Sequence, residues 1–555
     1  MIEAASPDKV DGSSAVRRPS KWLCVATPAM LLTLYTAQCL WFIRTQSLTY
    51  DEPIHIAEGL NAWRHGRFEQ YNDHPPLARL LCTLPLIGTK WQVDVEQLPE
   101  GFRIHHVGPD PVALAWRARA VNACLGLLLG LLVWVEARKW FSAWAANFAL
   151  ALFAFSPALI AHFSLATTDG AATLLIFATA VQIRRWCDRT SWRNAFQIGV
   201  VLGLLLLAKF STLAMFALAL CWLLVLVQGR VVSRPLKWNW AQVTVTVLVA
   251  LATLWAGYFF HVSHLTIRNR VLTVSHPNWT TSLVKPARQN FNTSIPVPAG
   301  EYIAGLRDLV FHNAHGQRAF FLGQVSPTGG WKLYYPVTIL LKWPLIVVLF
   351  AALGLWTCAR RKGVVPAGFW IVSSFPAVYF MLAIVAHFNI GERHVLPVYP
   401  FALLLAAAAA EYLRRMRWGR ALVLSAVLFN AGDVARYAPG YLSYMNIFVR
   451  PEGGYRLLSD SNTDWGQGLL ALRHYQEQHP TEQIHLAYFG SVDPEVYGIH
   501  SLPLEANEHV SGTVIVGATQ LSGQYLKDPA GYRWLVRRKL KGILDDCMYV
   551  FQVDP

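Results

Sequence analysis

Long apolar runs dominate the sequence, and each is close to the length that an α-helix needs to cross a bilayer. A membrane-spanning helix takes about 20 consecutive residues that are mostly apolar, so these runs predict a polytopic α-helical membrane protein with about 11 transmembrane helices. They lie near residues 22–44, 114–135, 142–161, 169–183, 195–209, 212–228, 241–260, 337–357, 366–386, 396–412 and 420–437.

Composition agrees with this fold class. Only 15% of the 555 residues are charged, whereas soluble domains typically carry about 25% charged residues. The formal net charge of +15 could indicate a nucleic-acid partner, but the Lys and Arg residues recur in short loops between apolar runs. We therefore predict membrane lipids, and no nucleic acid, as partners. The cysteines are scattered and form no CxxC pair, which predicts small core residues.

The loop charges also predict the orientation of the chain. Lys and Arg gather in cytoplasmic loops, and each basic cluster falls on one side if the N-terminus is cytoplasmic and the spans alternate. This predicts a cytoplasmic tail (1–21), a transmembrane domain (22–439) with large outer loops at 45–113 and 261–336, and an extracytoplasmic region (440–555). The clusters are Arg17, Arg18 and Lys21; Arg138 and Lys139; Arg184, Arg185, Arg189 and Arg193; Arg230 and Arg234; Arg360, Arg361 and Lys362; and Arg414, Arg415, Arg417 and Arg420.

The region from residue 440 onward has a different pattern. "GQGLLALRHYQEQ" is typical of an amphipathic helix, and "AGYRWLVRRKL" predicts a second one. "YRLLSD", "IHLAYFG" and "GTVIVGATQL" predict strands. Alternating elements of this kind predict a small C-terminal α/β domain with a largely parallel sheet and its own core, on the outer side.

Two adjacent carboxylates, Asp51 and Glu52, follow the first apolar run directly. Pro53 favours the first turn of a helix, so one interpretation is that Asp51 or Glu52 is only an N-cap. The other is chemistry, because Asp51, His55 and Glu58 fall at positions i, i+4 and i+7 and share one helix face.

Other ionisable residues recur at the same predicted membrane depth. In "NDHPPLARLL", His74 opens a rigid turn, and Arg79 is either a snorkelling side chain or a phosphate contact. Asp169 in "TTDGAATL" is either a helix cap or a second functional acid. Lys342 lies in an apolar run where an unpaired ammonium is costly, so it either snorkels or binds phosphate. His74, Arg318 and Arg393 are further candidates for binding the donor phosphate on this side.

This set of acids and cations suits a lipid-linked phosphate substrate. Cations would hold the phosphate leaving group, while a carboxylate takes the proton of the acceptor. The sequence has no HExxH, Walker A or GxSxG motif in its proper context. An external enzyme lacks ATP and nucleotide sugars, so an energy-rich lipid donor is the plausible substrate.

Several of these motifs resemble those of bacterial GT-C glycosyltransferases that use polyprenyl-phosphate sugars. This superfamily includes the protein O-mannosyltransferases, the aminoarabinose transferases of lipid A and the Rgt-type enzymes. The similar segments are "YDEPIHIAEGLNAWRHGRFEQYNDHPPLARLL", "TTDGAATL", "GGWKLYYPVTILLKWPL", "GERHVLPVYPF" and "LSDSNTDWGQGL".

The resemblance implies an inverting glycosyltransferase of the bacterial inner membrane, with a polyprenyl-phosphate sugar as donor and an unknown extracytoplasmic acceptor. It implies that the catalytic residues are Asp51 as the base, its neighbour Glu52, and Asp169 as the acid of the second loop. Some members need a divalent metal ion and others do not, so a metal held by Asp51, His55 and Glu58 is left open. The tail residues Asp460, Asn462, Asp464 and Trp465 either shape an acceptor site, or Asp460 to Asp464 form an ordinary turn between a strand and a helix, and we favour the turn.

Two other functions remain open from the sequence. One is a transporter or flippase for lipid-linked saccharides, which would need polar residues along a path through the bilayer centre. The predicted spans are apolar at their centres, and their ionisable residues gather at one face. The other is a non-catalytic membrane scaffold with an external binding domain.

Overall fold

The computed structural model describes residues 21–68, 74–98, 101–228, 239–268, 271–276, 279–284, 294–360 and 367–554. Most of the predicted cytoplasmic tail therefore lies outside the described residues. The same is true of the basic residues Arg17, Arg18, Arg230, Arg234, Arg361 and Lys362.

In the described residues, the N-terminal half is helical apart from one antiparallel hairpin, in which Gln92 pairs with Gly108. Short polar residues begin several of its helices: Ser142, Ser156 and Ser191 each accept a hydrogen bond from a backbone N–H of the following turn. The elements are α1 (Lys21–Thr45), α2 (Glu52–His65), α3 (Leu77–Thr83), β1 (Gln92–Leu98), β2 (Gly101–Gly108), α4 (Pro111–Trp140), α5 (Ala143–Ala154), α6 (Pro157–Phe163), α7 (Thr168–Asp188), α8 (Trp192–Ala208), α9 (Ser211–Gln228) and α10 (Trp240–Gly257).

The middle of the chain opens with a four-stranded antiparallel sheet and returns to helices. The strand order of this sheet is β5-β4-β3-β6. A 3₁₀ helix, Glu392–Val398, leads directly into the penultimate helix of this part. The elements are β3 (Val262–Arg268), β4 (Val271–His276), β5 (Trp279–Val284), β6 (Ser294–Pro298), α11 (Gly300–His315), β7 (Ala319–Phe321), β8 (Gln324–Ser326), α12 (Tyr334–Lys342), α13 (Leu345–Arg360), α14 (Ala367–Val385), α15 (Tyr399–Leu413) and α16 (Gly419–Ala435).

The chain is a multi-pass membrane protein, but the predicted count of about 11 spans is not confirmed. The described residues contain 5 helices that are long and apolar enough to cross a membrane, or up to 7 if each of two bent helix pairs is one span. The pairs are α5 with α6, bent by 61°, and α12 with α13, bent by 118°. Pro157 and Pro344 stand at these breaks. Proline favours a break because it lacks a backbone N–H and its ring clashes with the preceding turn.

The C-terminal region contains a five-stranded sheet in the order β10-β9-β11-β13-β12. Strand β9 pairs in parallel with β10 and β11, whereas β13 pairs antiparallel with β11 and β12. The elements are α17 (Leu469–Gln478), β9 (Ile484–Ala487), β10 (Leu502–Pro503), β11 (Gly512–Gly517), α18 (Ala518–Ser522), β12 (Lys539–Leu544) and β13 (Met548–Val553).

Parts of the prediction for this region were wrong. The sheet is mixed rather than largely parallel, because Asp545 and Asp546 both have positive φ and form a tight turn that suits an antiparallel hairpin. "YRLLSD" is not a strand: the 3₁₀ helix Pro451–Arg456 ends within it. The predicted second helix is only a 3₁₀ turn, Arg533–Arg537, followed by β12.

The C-terminal sheet shares one of its cores with the first predicted outer loop. Ile104 of β2 packs in the same buried cluster as Ile484 of β9 and Ile515 of β11, and Ile104 also forms a parallel β-bridge with Val492. The opposite face has a separate cluster. A separate α/β domain with its own core is therefore not confirmed, and the boundary at residue 440 stays a prediction.

Candidate active site

Asp51 lies at the start of α2 but does not cap it. Its φ and ψ of −84° and −21° are already helical, and its side chain makes no capping hydrogen bond. Instead, Asp51 Oδ2 accepts a hydrogen bond from Arg393 Nη1 at 2.7 Å. The Asp51 side chain keeps 25% of its surface exposed, so a second molecule can reach the carboxylate.

Arg393 is the cation on which several distant segments converge. Its guanidinium lies 4.0 Å from the centre of the Trp465 ring, within the range of a cation–π contact. Besides Asp51, the carboxylates of Asp169 and Asp460 act electrostatically on it. Two acids predicted from separate loops therefore meet around one arginine.

Asp169 forms an ion pair that the sequence analysis missed. Its Oδ1 accepts a hydrogen bond from Lys209 Nζ at 2.7 Å, in surroundings where the Asp169 side chain is 3% exposed. The Thr167 side chain does not cap α7. Lys209 is an isolated cation between the apolar helices α8 and α9, and intramembrane cations of this kind are candidates for function. That signal was in the sequence.

Arg79, His55 and His74 form one wall of the same region. Arg79 Nε lies 3.2 Å from His55 Nδ1, and the His55 and His74 rings are 5.6 Å apart. His74, Lys209 and Asp169 all act electrostatically on His394, which follows Arg393 in the chain. Arg79 is buried, so its side chain stays inside the protein beside His55 rather than snorkelling to the surface.

Glu52, predicted to be catalytic, is buried and surrounded by donors from the protein itself. Arg119 donates to both of its oxygens, at 2.8 Å to Oε1 and 2.6 Å to Oε2. Thr49 N donates to Oε2 at 2.8 Å, and Ala166 N donates to Oε1 at 2.7 Å. Glu52 and Arg119 are both 0% exposed, so this carboxylate is saturated with donors and closed to a substrate.

Lys342, predicted to bind phosphate, is also committed to the protein itself. Its Nζ donates to the carbonyl oxygens of Leu442 at 2.8 Å and Asn462 at 2.6 Å, and it lies 3.3 Å from Glu392 Oε1. These contacts occupy the three donors of an ammonium group, and the side chain is 0% exposed. Lys342 therefore stabilises the site without facing a substrate.

Arg318 is half-buried beside the C-terminal region. In the part of the chain that the structure describes, its hydrogen bond is made by the backbone carbonyl, which accepts from Gln524 Nε2 at 3.0 Å. A phosphate contact by its guanidinium stays a prediction.

The tail residues form the turn that we favoured, and the turn also borders Arg393. Asp460–Asn462 is a 3₁₀ helix, and Asp460 has a φ of +58°. Asp460 Oδ1 accepts from Ser461 N at 2.6 Å, and Oδ2 accepts from the Tyr525 hydroxyl. Burial raises the pKa of Asp460, and it raises the pKa of Asp464 to about 7.

Two of the three residues for which a metal was left open have other partners in the structure. Asp51 binds Arg393, and His55 contacts Arg79. Among the residues that the structure describes, no three His, Cys, Asp or Glu side chains are grouped as metal ligands. The metal requirement stays untested, and no step proposed below passes through a metal.

Comparison with known proteins supports the predicted resemblance to GT-C glycosyltransferases. The family described as dolichyl-phosphate-mannose-protein mannosyltransferase matches residues 62–267. The Saccharomyces cerevisiae protein O-mannosyltransferase Pmt1-Pmt2 complex bound to the sugar donor is similar in structure, with a TM-score of 0.51 and 12% identity over 82% of this chain and 92% of that chain.

ArnT from Cupriavidus metallidurans, bound to undecaprenyl phosphate, has a TM-score of 0.47 and 13% identity over 96% of this chain and 98% of that chain. No curated protein matches. The matching family and the yeast complex belong to the GT-C superfamily, so the resemblance that the motifs predicted is confirmed. The chain has the fold of a GT-C glycosyltransferase.

Proposed function

We propose that this protein is an inverting membrane glycosyltransferase. It would transfer a sugar from a polyprenyl-phosphate donor to a hydroxyl group of a protein, lipid or glycan acceptor on the outer side of a bacterial inner membrane. The observation that carries the proposal is the partly exposed Asp51 carboxylate, held at 2.7 Å from Arg393 beside the buried Asp169–Lys209 pair. The mannosyltransferase family match and the donor-bound yeast complex support the donor class.

Asp51 acts as the general base in this proposal. Arg393 engages Oδ2, and we assign Oδ1 as the atom that takes the proton of the acceptor hydroxyl. The acceptor oxygen then attacks the anomeric carbon from the face opposite the phosphate, and the bond between that carbon and the phosphate oxygen breaks. A positioned base of this kind contributes about 10²–10⁴-fold in rate.

The departing phosphate needs cations that face the site. Lys342, which we first assigned to this role, is enclosed by carbonyl oxygens and Glu392. Lys209 takes its place in the proposal, together with Arg79 and Arg393. Fixed cations in a water-poor site stabilise developing charge more strongly than water does, because they need no reorganisation during the reaction.

Replacement of Asp51 tests the proposal directly. Purified Asp51→Asn protein should transfer sugar from a radiolabelled polyprenyl-phosphate sugar about 10²–10⁴-fold more slowly than the wild type, while still inserting and folding. Asp94→Asn is the matched control, because Asp94 is an exposed acid of the same predicted outer loop. Wild-type turnover by Asp51→Asn would remove Asp51 from the mechanism.

The same assay separates the enzyme from the two other functions. A flippase would move the lipid-linked sugar across a vesicle membrane without cleaving it, and a scaffold would leave it unchanged. Only an enzyme releases polyprenyl phosphate and forms a glycosylated acceptor.

A further inference from the structure

The segment at residues 460–468, which we call the tail turn, contacts both parts of the chain that carry the ion pair between Asp51 and Arg393. It lies far beyond residues 62–267, where the matching family ends. Asp51 and Arg393 are 342 positions apart in sequence, so something must fix their relative position.

The tail turn holds the segment that carries Arg393. Asn462 Oδ1 accepts from Glu392 N at 3.0 Å, and Ser461 Oγ donates to the carbonyl of Ile390 at 2.9 Å. The approach at Gly391 is so close that a Cβ there would lie 2.0 Å from Ser461 Oγ. The backbone that leads into Arg393 is therefore fixed by this turn.

Trp465 supports the Arg393 side chain itself. Its ring is 2% exposed and lies under the guanidinium at 4.0 Å. A planar guanidinium stacks on an aromatic face and keeps its in-plane donors for other partners. Trp465 thus restricts Arg393 to an orientation that reaches Asp51.

The tail turn also holds the residues that precede Asp51. Tyr50 N donates to the carbonyl of Trp465 at 2.8 Å, and Ser47 N donates to the carbonyl of Gln467 at 2.9 Å. Ser47 Oγ donates to the carbonyl of Gly466 at 3.1 Å. The start of α2 is therefore attached to the same short segment that holds Arg393.

Lys342 and Tyr334 anchor the turn to α12. Lys342 Nζ donates to the Asn462 carbonyl at 2.6 Å, and Asn462 Nδ2 donates to the Tyr334 hydroxyl at 2.9 Å. These contacts suggest a role for the buried Lys342 in holding the tail turn, in place of phosphate binding.

We propose that the tail turn is a positioning element of the transfer reaction: Trp465 orients Arg393, and the turn backbone fixes Arg393 and Asp51 relative to each other. This inference rests on the proposed function. A misplacement of about 1 Å at a reacting group can cost about 10²-fold in rate, so loosening the turn should lower kcat without unfolding the protein.

Kinetics of three variants in full-length protein test the inference. Trp465→Leu should lower kcat about 10- to 100-fold, and Trp465→Phe, which keeps an aromatic face, should retain most of the activity. Trp534→Leu is the matched control, because Trp534 lies in the same C-terminal region but stacks on His509. Equal losses in Trp465→Leu and Trp534→Leu would overturn the inference.

A double-mutant cycle separates positioning from general stability. If Trp465 acts through Arg393, then Trp465→Leu should add little to the loss caused by Arg393→Lys, because interacting residues are non-additive. Full additivity would overturn the inference, since Trp465 would then act independently of Arg393.

Hydrogen exchange gives a readout that needs no substrate. Asn462→Ala removes the acceptor of the Glu392 amide, so peptides spanning 390–396 should lose protection, and those spanning 48–53 should follow. Trp534→Leu should change neither. If protection is lost but wild-type protein transfers no sugar, the proposed function fails, while the attachment of both segments to the tail turn stands. Unchanged protection would overturn the positioning role.

Discussion

Asp51 and Glu52 are neighbours in the sequence, yet removing their charges should have opposite consequences. Asp51 is partly exposed and forms an ion pair with Arg393, on which Asp169 and Asp460 also act. Asp51→Asn should therefore change the free energy of unfolding by at most about 1 kcal/mol while abolishing most transfer. Glu52→Gln should instead unfold the protein readily.

The magnitude for Glu52→Gln follows from its donors. An amide replaces one acceptor oxygen with an NH₂ group. At Oε1 this group would face Arg119 Nε and Ala166 N, and at Oε2 it would face Arg119 Nη2 and Thr49 N. Either orientation sets N–H against N–H and leaves a buried guanidinium unpaired. Breaking a buried pair in this way costs about 3–5 kcal/mol.

Unfolding in mixed detergent micelles, followed with increasing SDS fraction, measures this loss. Adding Arg119→Met to Glu52→Gln should recover part of the stability, because no uncompensated charge remains. The recovery is partial because Arg119 also donates to the carbonyls of Gln46 and Ser47. A Glu52→Gln protein that is as stable as the wild type but inactive would refute this reasoning and restore a catalytic Glu52.

Three further outcomes follow from the structure. Lys209→Met strands the buried Asp169 charge, so the free energy of unfolding should fall by about 3–5 kcal/mol; adding Asp169→Asn should restore stability but not turnover. Gly59→Ala places a Cβ 2.2 Å from a carbonyl oxygen of α3, so it should lower the free energy of unfolding by about 1–3 kcal/mol and raise the donor KM. Gly432→Ala, whose Cβ would have nothing within 4 Å, should do neither. Burial raises the pKa of Asp464 from 3.8 to about 7, so its contribution to stability is fully present below pH 3.8 and is lost as pH rises through about 7; Asp464→Asn should flatten this decline in unfolding measured from pH 4 to 8.

The sequence pointed to the candidate site because charge at the ends of apolar helices is costly and therefore informative. Asp51, Asp169 and Arg393 were all found in this way, and the structure brings them together. The same argument applied to Lys209, which was overlooked because it ends one apolar run and lies just before the next. The charge pattern indicates how deep a residue lies in the membrane. Depth alone identifies a layer of candidate residues and does not assign their roles.

The roles within that layer could not be predicted, because they depend on partners far away in the chain. Glu52 is closed to substrate only because Arg119, 67 positions later, occupies it. Lys342 is closed because carbonyl oxygens 100 and 120 positions later surround it. No periodicity encodes such pairings. In the mixed sheet, the positive φ values at Asp545 and Asp546 form the turn of the antiparallel hairpin. Neither residue is a glycine, so the sequence did not indicate a turn there.

The Asp51–Arg393 pair links the two halves of the proposed reaction through charge. Before the reaction, the guanidinium is engaged by the Asp51 carboxylate at 2.7 Å. When the acceptor proton reaches Asp51, that carboxylate becomes neutral and its attraction for Arg393 weakens. In the same step the phosphate gains a negative charge as its bond to the sugar breaks. Arg393 can then pair with the phosphate while Trp465, at 4.0 Å, keeps it in place. Arginine suits this exchange because its planar fork offers several donors at once while its flat face stacks on Trp465, and a lysine at position 393 would lack that planar face.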